Sequence, residues 1–306
     1  MGNISTRADR ATSSGGMSRR QVLVGMAALA AGSGSMDVRA QAATNWPLWT
    51  IEGKGGKAYL TGETPARPTS WKDDRIERLV ATCSAFWTET NQTRHQDSQA
   101  LIQRHGMDAT APLFSKLSEA DRRRVAKVAE MAKTPLDGLA PFRPWLAAFA
   151  LEEAYYGAMN FPESGTAEKV LLPKAESAGV ALSSEFATQG DVITFMGEMS
   201  PVEDVQYLQY TLDHILDGTE ANERVYSLWS RGDMSGAERM VQRMRNDQPD
   251  VYRKHVVGRN RNWVPRIDAM LDGSKPALVL VGLYHVAGPD SVLVQLKSRG
   301  FTVRAV

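Results

Sequence analysis

The sequence predicts an α/β fold, a mixed central sheet formed by N- and C-terminal strands with a large helical middle segment. Three observations predict it. Residues 48–52 and 57–62 are strand-like and flank the glycine-rich turn Gly53-Lys54-Gly55-Gly56. Residues 277–281 form an unbroken apolar run, and 301–306 alternate again before the chain ends. Between these ends, residues 202–271 repeat apolar positions at about 3.6 residues among many charges, as surface helices do. Strands at both ends around a helical middle imply a sheet assembled from the two ends of the chain.

The elements follow in order. Residues 48–52 and 57–62 form a hairpin. Residues 70–83 read as an amphipathic helix with Ser70 as N-cap before Asp73 and Asp74. Residues 85–89 form a short strand. Ser118 with Asp121 resembles a capping box and opens a helix to about Ala132. Residues 144–159 and 167–178 continue the helical pattern, Gly179 stops it, and 180–186 reads as a buried strand. A strand at 277–282, a helix at 291–298 and a final strand at 301–306 complete the chain, with the helical middle expected to cover one mouth of the sheet.

Ahead of the first strand stands a leader. Ser18-Arg19-Arg20-Gln21-Val22-Leu23 places paired arginines before an uncharged run, residues 22–31, followed by small residues and Ala40-Gln41-Ala42. The run is shorter than the roughly 20 residues a membrane span needs. A basic start, a short apolar stretch and an A-x-A site are the parts of a secretory signal, and the arginine pair points to the twin-arginine route. Val22 and Val24 stand where that motif favours phenylalanine and lysine. The alternative is an uncleaved amphipathic helix. On the first reading residues 1–42 are a twin-arginine signal peptide, 43–306 are a single domain, and the product is periplasmic or secreted.

Composition bounds the function. The 306 residues are 42% apolar with mean hydropathy −0.33, enough to bury a full core. A net charge of +1 argues against nucleic acid or an anionic membrane as partner. No stretch after the leader is apolar enough to span a membrane. Cys83 is the only cysteine, so no internal disulfide forms. Its place beside Ile76, Leu79 and Val80 on a predicted helix face predicts a buried structural thiol.

Several polar residues fall just past predicted strand ends: Glu63, Glu89 and Glu185, and His285 three residues after Gly282. Ligands of α/β sheets bind outside the carboxyl ends of strands, where such side chains converge. Carboxylates with one imidazole suit Mn, Ca, Mg or Zn rather than copper. Each residue also has a plainer reading, a glutamate as a solvated or salt-bridged strand end and His285 as a structural group exposed at a strand end. Arg259-Asn260-Arg261-Asn262-Trp263 opens a helix whose two arginines could clamp a carboxylate or phosphate, or form a solvated basic face. His95, His105, His214 and His255 show no ligand-like spacing. Trp145, Trp229 and Trp263 fall on core positions.

Taken together these segments resemble the TraB/GumN family, relatives of the Tiki metalloproteases. Leu48-Trp49 with Ala58-Tyr59-Leu60-Thr61-Gly62 resembles the family's opening hairpin. Glu89 falls on its next strand-end glutamate, and Pro144-Trp145-Leu146 resembles its Pro-Trp helix. Glu185 with Gln189 is similar to its Glu-x-x-x-Gln strand exit, and Arg259-Asn260 with Trp263 to its Arg-Asn helix. Gly282-Leu283-Tyr284-His285 matches its second Gly-x-x-His motif, and Phe301-Thr302-Val303 its last strand. The first Gly-x-x-His motif departs from the pattern. It reads Gly62-Glu63-Thr64-Pro65, and proline has no ligand atom. Glu63, two positions earlier, could supply a compensating oxygen.

The resemblance implies a metal-dependent hydrolase acting on peptide bonds in a peptide or protein substrate. A divalent metal (Mn, Zn or Ca) would be held by His285, Glu89, Glu185 and Glu63. Glu89, Arg259 and Asn260 would be catalytic, the last two stabilising an oxyanion. The alternative is a non-catalytic periplasmic binding protein that kept the pocket and lost one metal-binding histidine.

Overall fold

The glycines of the opening turn dictate its geometry. In the computed structural model, which describes residues 45–65, 71–90, 98–160 and 165–306, β1 (Leu48–Gly53) and β2 (Gly56–Glu63) pair antiparallel. Lys54 and Gly55 between them both have positive φ, 52° and 83°. That combination matches the right-handed strand twist of a tight hairpin. Four further strands complete one sheet: β3 (Ala85–Thr90), β4 (Ala181–Phe186), β5 (Ala277–Gly282) and β6 (Thr302–Ala305). Their order is β4-β3-β5-β2-β1-β6. The first four run parallel, and β1 is antiparallel to both β2 and β6.

This order positions the site. Parallel strands carry their carboxyl ends to one edge, and register sets Glu63 opposite Gly282 and Thr88 opposite Ser184. β5 lies between β3 and β2 and is buried along nearly its whole length, which explains its unbroken apolar run. β4 is an edge strand and alternates between exposed and half-buried residues. The expectation of a buried strand there is corrected: Val180, just before the strand, is buried, but β4 itself lies at a sheet edge with Leu182 only half-buried.

The helices follow the sequence closely, with two shifts at the first. α1 (Asp74–Val80) is capped by Asp73, whose carboxylate accepts from Arg75 N at 2.9 Å and Ile76 N at 3.3 Å. Such a cap contributes about 1 kcal/mol. The expected cap, Ser70, lies outside the described residues, as does the whole leader of residues 1–42. Cys83 follows the helix rather than riding on it. It is buried all the same, and burial pushes its thiol up to about 11, as expected of an inert structural cysteine.

Next come α2 (Gln99–His105), α3 (Glu119–Met131), α4 (Pro144–Ala158) and α5 (Ala167–Ser177). Ser118 caps α3 by accepting from Asp121 N at 3.0 Å. Then follow α6 (Gln189–Gly197), α7 (Pro201–Trp229) and α8 (Ser235–Asp247). α9 (Arg259–Met270) and α10 (Val292–Ser298) close the set. α7 is interrupted at Gly218, whose φ of 81° and ψ of 171° are not helical. Tyr252–Gly258, directly before α9, is a π-helical turn.

The helical middle makes a second hydrophobic core rather than merely lying over the sheet. Val125, Leu139, Ala147, Leu151, Leu208 and Leu212 are fully buried within it, while Ile51, Leu60, Phe86, Leu278 and Trp263 centre the sheet core. Tyr207 packs against both. Asp204 ties the starts of α4 and α7 together. Its Oδ1 accepts from Trp145 N at 2.6 Å and its Oδ2 from Arg143 Nε at 2.9 Å. Among the described residues, no helix is long and apolar enough to cross a membrane.

Candidate functional site

The carboxyl edge of the parallel strands brings Glu89, Glu185, Arg259, Asn260 and His285 together. β3 supplies Glu89, β4 supplies Glu185, and the turn Leu283–Val286 after β5 supplies His285. The π-helical turn delivers Arg259 and Asn260 at the head of α9. π-turns concentrate at functional sites because they re-aim the residues that follow them.

Arg259 is the centre of the group. It donates from Nη2 to Glu89 Oε2 at 2.7 Å and to Glu185 Oε2 at 2.6 Å, and from Nε to Glu185 Oε2 at 2.9 Å. Its Nη1 is 3.4 Å from His285 Nε2. The guanidinium also lies over Phe186, Phe195 and Trp263, 5.0–5.9 Å from their ring centres, and is 7% exposed. Burial opposes its charge, but Glu89 and Glu185 hold its pKa above the ordinary value. Arg261 is exposed, so only one of the two predicted arginines reaches the site.

Asn260 fixes the protonation of His285. Its Nδ2 donates to the carbonyls of His285 (3.3 Å) and Asp290 (2.9 Å), so its Oδ1 must face the imidazole. His285 Nδ1 therefore carries the proton and donates to Asn260 Oδ1 at 2.7 Å, leaving the Nε2 lone pair toward Arg259 and Glu89. His285 is wholly buried against Trp263 and Tyr284. This corrects the expectation of an exposed strand-end histidine. The short turn after β5 folds the ring under the helices instead of projecting it. Burial, foremost, lowers its pKa to about 3, so it is neutral.

Burial alone would raise the Glu89 pKa. The charge of Arg259, aided by His285 and the Gly282 amide, prevails and brings it to about 2. Gly282 N donates to Glu89 Oε1 at 2.5 Å. Glycine is required there, because a Cβ would stand 2.9 Å from the Tyr284 ring. Gly62 is required for the same kind of reason, since its Cβ would meet the Trp229 ring at 2.5 Å.

Glu63 does not join Arg259. It turns toward α5 and accepts from Glu168 N at 2.8 Å. Burial raises it to about 7 and Glu168 to about 8, each carboxyl also opposing the ionisation of its neighbours. Pro65 is exposed at the rim of a second region, a cleft of about 440 Å³ including its open mouth. Thr64, Tyr156, His214, Tyr226 and Leu283 line it with Pro65. His105 and His255 stay apart from the donor cluster. His255 is buried between Phe195 and Tyr207, its Nε2 3.3 Å from Met199 Sδ.

The donors as placed hold a guanidinium. Both carboxylates and the imidazole lone pair already serve Arg259, and no imidazole stands at position 65. Among the described residues, no three His, Cys, Asp or Glu are grouped to hold a metal.

Sequence reasoning did not single out Glu168, Phe186, Phe195, Tyr284 or the α4–α7 tyrosines. Helix-spaced Phe149, Glu152 and Tyr156, with Tyr207, Tyr210 and His214, were the available signal. Nothing in one sequence said that the two rows face each other.

A comparison with curated proteins returned no match. The sequence pattern of one family fits residues 47–305, from the start of the hairpin to the last strand. On that span, which contains every element described above, the chain belongs to the TraB/PrgY/gumN family.

Proposed function

We propose that this protein is exported by the twin-arginine route to the periplasm or cell exterior, and that it binds a peptide or protein segment without cleaving it. One observation carries the reading. Arg259 sits between Glu89 and Glu185 with Nη1 turned to His285 Nε2, where a hydrolase of this family would need those donors for its metal. Pro65 supports it, because the first Gly-x-x-His motif has lost its ligand. What remains is a rigid, charged floor suited to recognition.

A metal-dependent hydrolase acting on peptide bonds is the second reading, favoured by the His285 tautomer. An imidazole whose Nδ1–H is held by a neighbour and whose Nε2 is a lone pair is the form that ligates metals. In that reading Glu89, Glu185 and His285 are the donors once Arg259 moves aside.

Calorimetric titration of Zn and Mn into purified, chelator-dialysed protein decides between them, alongside mass spectrometry of a peptide mixture incubated with it. The expected result is no stoichiometric metal binding in the wild type, and retained but uncut peptide. One equivalent of metal in the wild type, lost in His285→Ala, together with cut peptides, would establish the hydrolase.

A further inference from the structure

Helices α4 and α7 run side by side in a fixed register. The Phe149 and Tyr207 rings stack with centroids 5.9 Å apart, and seven residues later on both helices Tyr156 Oη is 3.1 Å from His214 Nε2. Equal steps on both chains mean parallel helices, so the residues three places past the first pair, Glu152 and Tyr210, face each other. A carboxylate thus stands in a row that is otherwise aromatic.

That carboxylate has no partner. Among the described residues Glu152 makes no hydrogen bond or ion pair, and the hydroxyls of Tyr207 and Tyr210 make no hydrogen bond either. None of the three is fully buried, and Tyr156 and His214, about one turn further along the same two helices, line the cleft. The row continues in both directions. Beyond Tyr207 lie His255, Phe195 and Arg259, and beyond Tyr156 and His214 lies the cleft rimmed by Pro65.

We propose that Glu152, Tyr207 and Tyr210 form a subsite for the primary ammonium group of a ligand, either a lysine side chain or a peptide N-terminus. The proposal rests on the reading of this cleft as a peptide-binding surface. Chemistry selects ammonium over other groups. The Glu152 carboxylate and the two hydroxyls offer oxygen acceptors for the three N–H donors of –NH₃⁺, and the aromatic faces favour a cation further. An anion would meet the Glu152 charge, and an uncharged group would leave that charge uncompensated.

The electrostatics agree. Burial pushes the Glu152 carboxyl up to about 7 with no cation opposing the rise. Burial and then the Glu152 charge lift the Tyr156, Tyr207 and Tyr210 hydroxyls far above their ordinary value. All three phenols therefore lie within reach of that one carboxylate.

The test is calorimetric titration of the purified protein at pH 7.5 with three peptides: acetyl-Ala-Lys-Ala-amide, Ala-Ala-Ala-amide with a free N-terminus, and acetyl-Ala-Ala-Ala-amide with no ammonium. At least one ammonium-bearing peptide should bind tenfold or more tightly than the third, and which one does so identifies the source of the group. Glu152→Gln should reduce the preference to less than threefold, and Tyr210→Phe, which keeps the ring, should weaken ammonium binding about three- to tenfold. Equal binding of all three peptides, binding of none, or a preference that survives Glu152→Gln would overturn the subsite. Cleavage of a peptide that still shows the preference would overturn the binding-protein reading and leave the subsite standing.

Discussion

His285 Nδ1 lies 2.7 Å from Asn260 Oδ1, and the Asn260 amide is held in that orientation by two backbone carbonyls. The pair is a buried hydrogen-bonded unit, so removing either member leaves an unmet polar group. Asn260→Leu should destabilise the protein by about 1–3 kcal/mol, the cost of an orphaned buried donor. His285→Ala should cost at least as much, because the ring also packs on Trp263 and Tyr284. Urea unfolding checks both, and an unchanged midpoint in either variant would refute the buried pairing.

Arg259 neutralises two carboxylates at once. Arg259→Met should leave Glu89 and Glu185 facing each other uncompensated and cost about 3–5 kcal/mol, as removal of one buried partner does. The triple variant with Glu89→Gln and Glu185→Gln should recover much of that loss, since no charge then remains to be balanced. Chemical denaturation of the single and triple variants measures the recovery. No recovery would mean that Arg259 matters through its packing on Phe186, Phe195 and Trp263.

Stability should fall as pH rises from about 6.5 to 8.5. Glu63 and Glu152, raised by burial to about 7, and Glu168, raised to about 8, hold protons in the folded state that the unfolded chain releases near 4.5. Their stabilising effect is complete below the unfolded pKa and disappears as pH rises through the folded one. His255 and His285, lowered to about 3 by burial, work in the opposite direction but only below about 6.5. Thermal melts across this range should drop by several degrees and flatten in Glu168→Gln. A rising or level curve in the wild type would contradict the burial of these carboxyls.

The last strand closes the sheet at an edge. β6 pairs with β1 from Trp49 opposite Ala305 to Glu52 opposite Thr302, and the Phe301 ring fills the space beside Gly53. Phe301 and Val303 are half-buried, less than the fully buried positions a central strand would give them. Deleting residues 301–306 should therefore cost about 1–3 kcal/mol and expose the β1 edge to association. Urea unfolding and light scattering report the two effects, and an unchanged midpoint would make this segment a tail.

Export rests on residues outside the described structure. Replacing Arg19 and Arg20 with lysine should leave unprocessed precursor in the cytoplasm, and the wild-type mature chain should begin near Ala43. Cell fractionation and N-terminal sequencing test these outcomes. Normal delivery of the double mutant would exclude the twin-arginine route while leaving export by another.

Local signals determined most of the fold. The glycine turn at 53–56, the cap at Ser118, Pro144 at a helix start and the apolar run at 277–281 act over a few residues, so the sequence alone identified those elements. The motif order identified the family in the same way. The misreadings arose where a neighbour distant in sequence decides. β4 is an edge strand because β3 flanks it on one side only, and Asp73 caps α1 with help from Trp46 N, 27 residues away. The site shows the division most clearly. Glu89, Glu185, Arg259, Asn260 and His285 were legible as polar groups at element ends. Their meeting required β3, β4 and β5 to run parallel and a π-turn to aim Arg259. Whether a glutamate faces a metal or a guanidinium depends on which cation the tertiary structure brings to it. Sequence spacing specifies faces and ends, whereas electrostatic pairing across 74 to 170 residues is settled only when the sheet assembles.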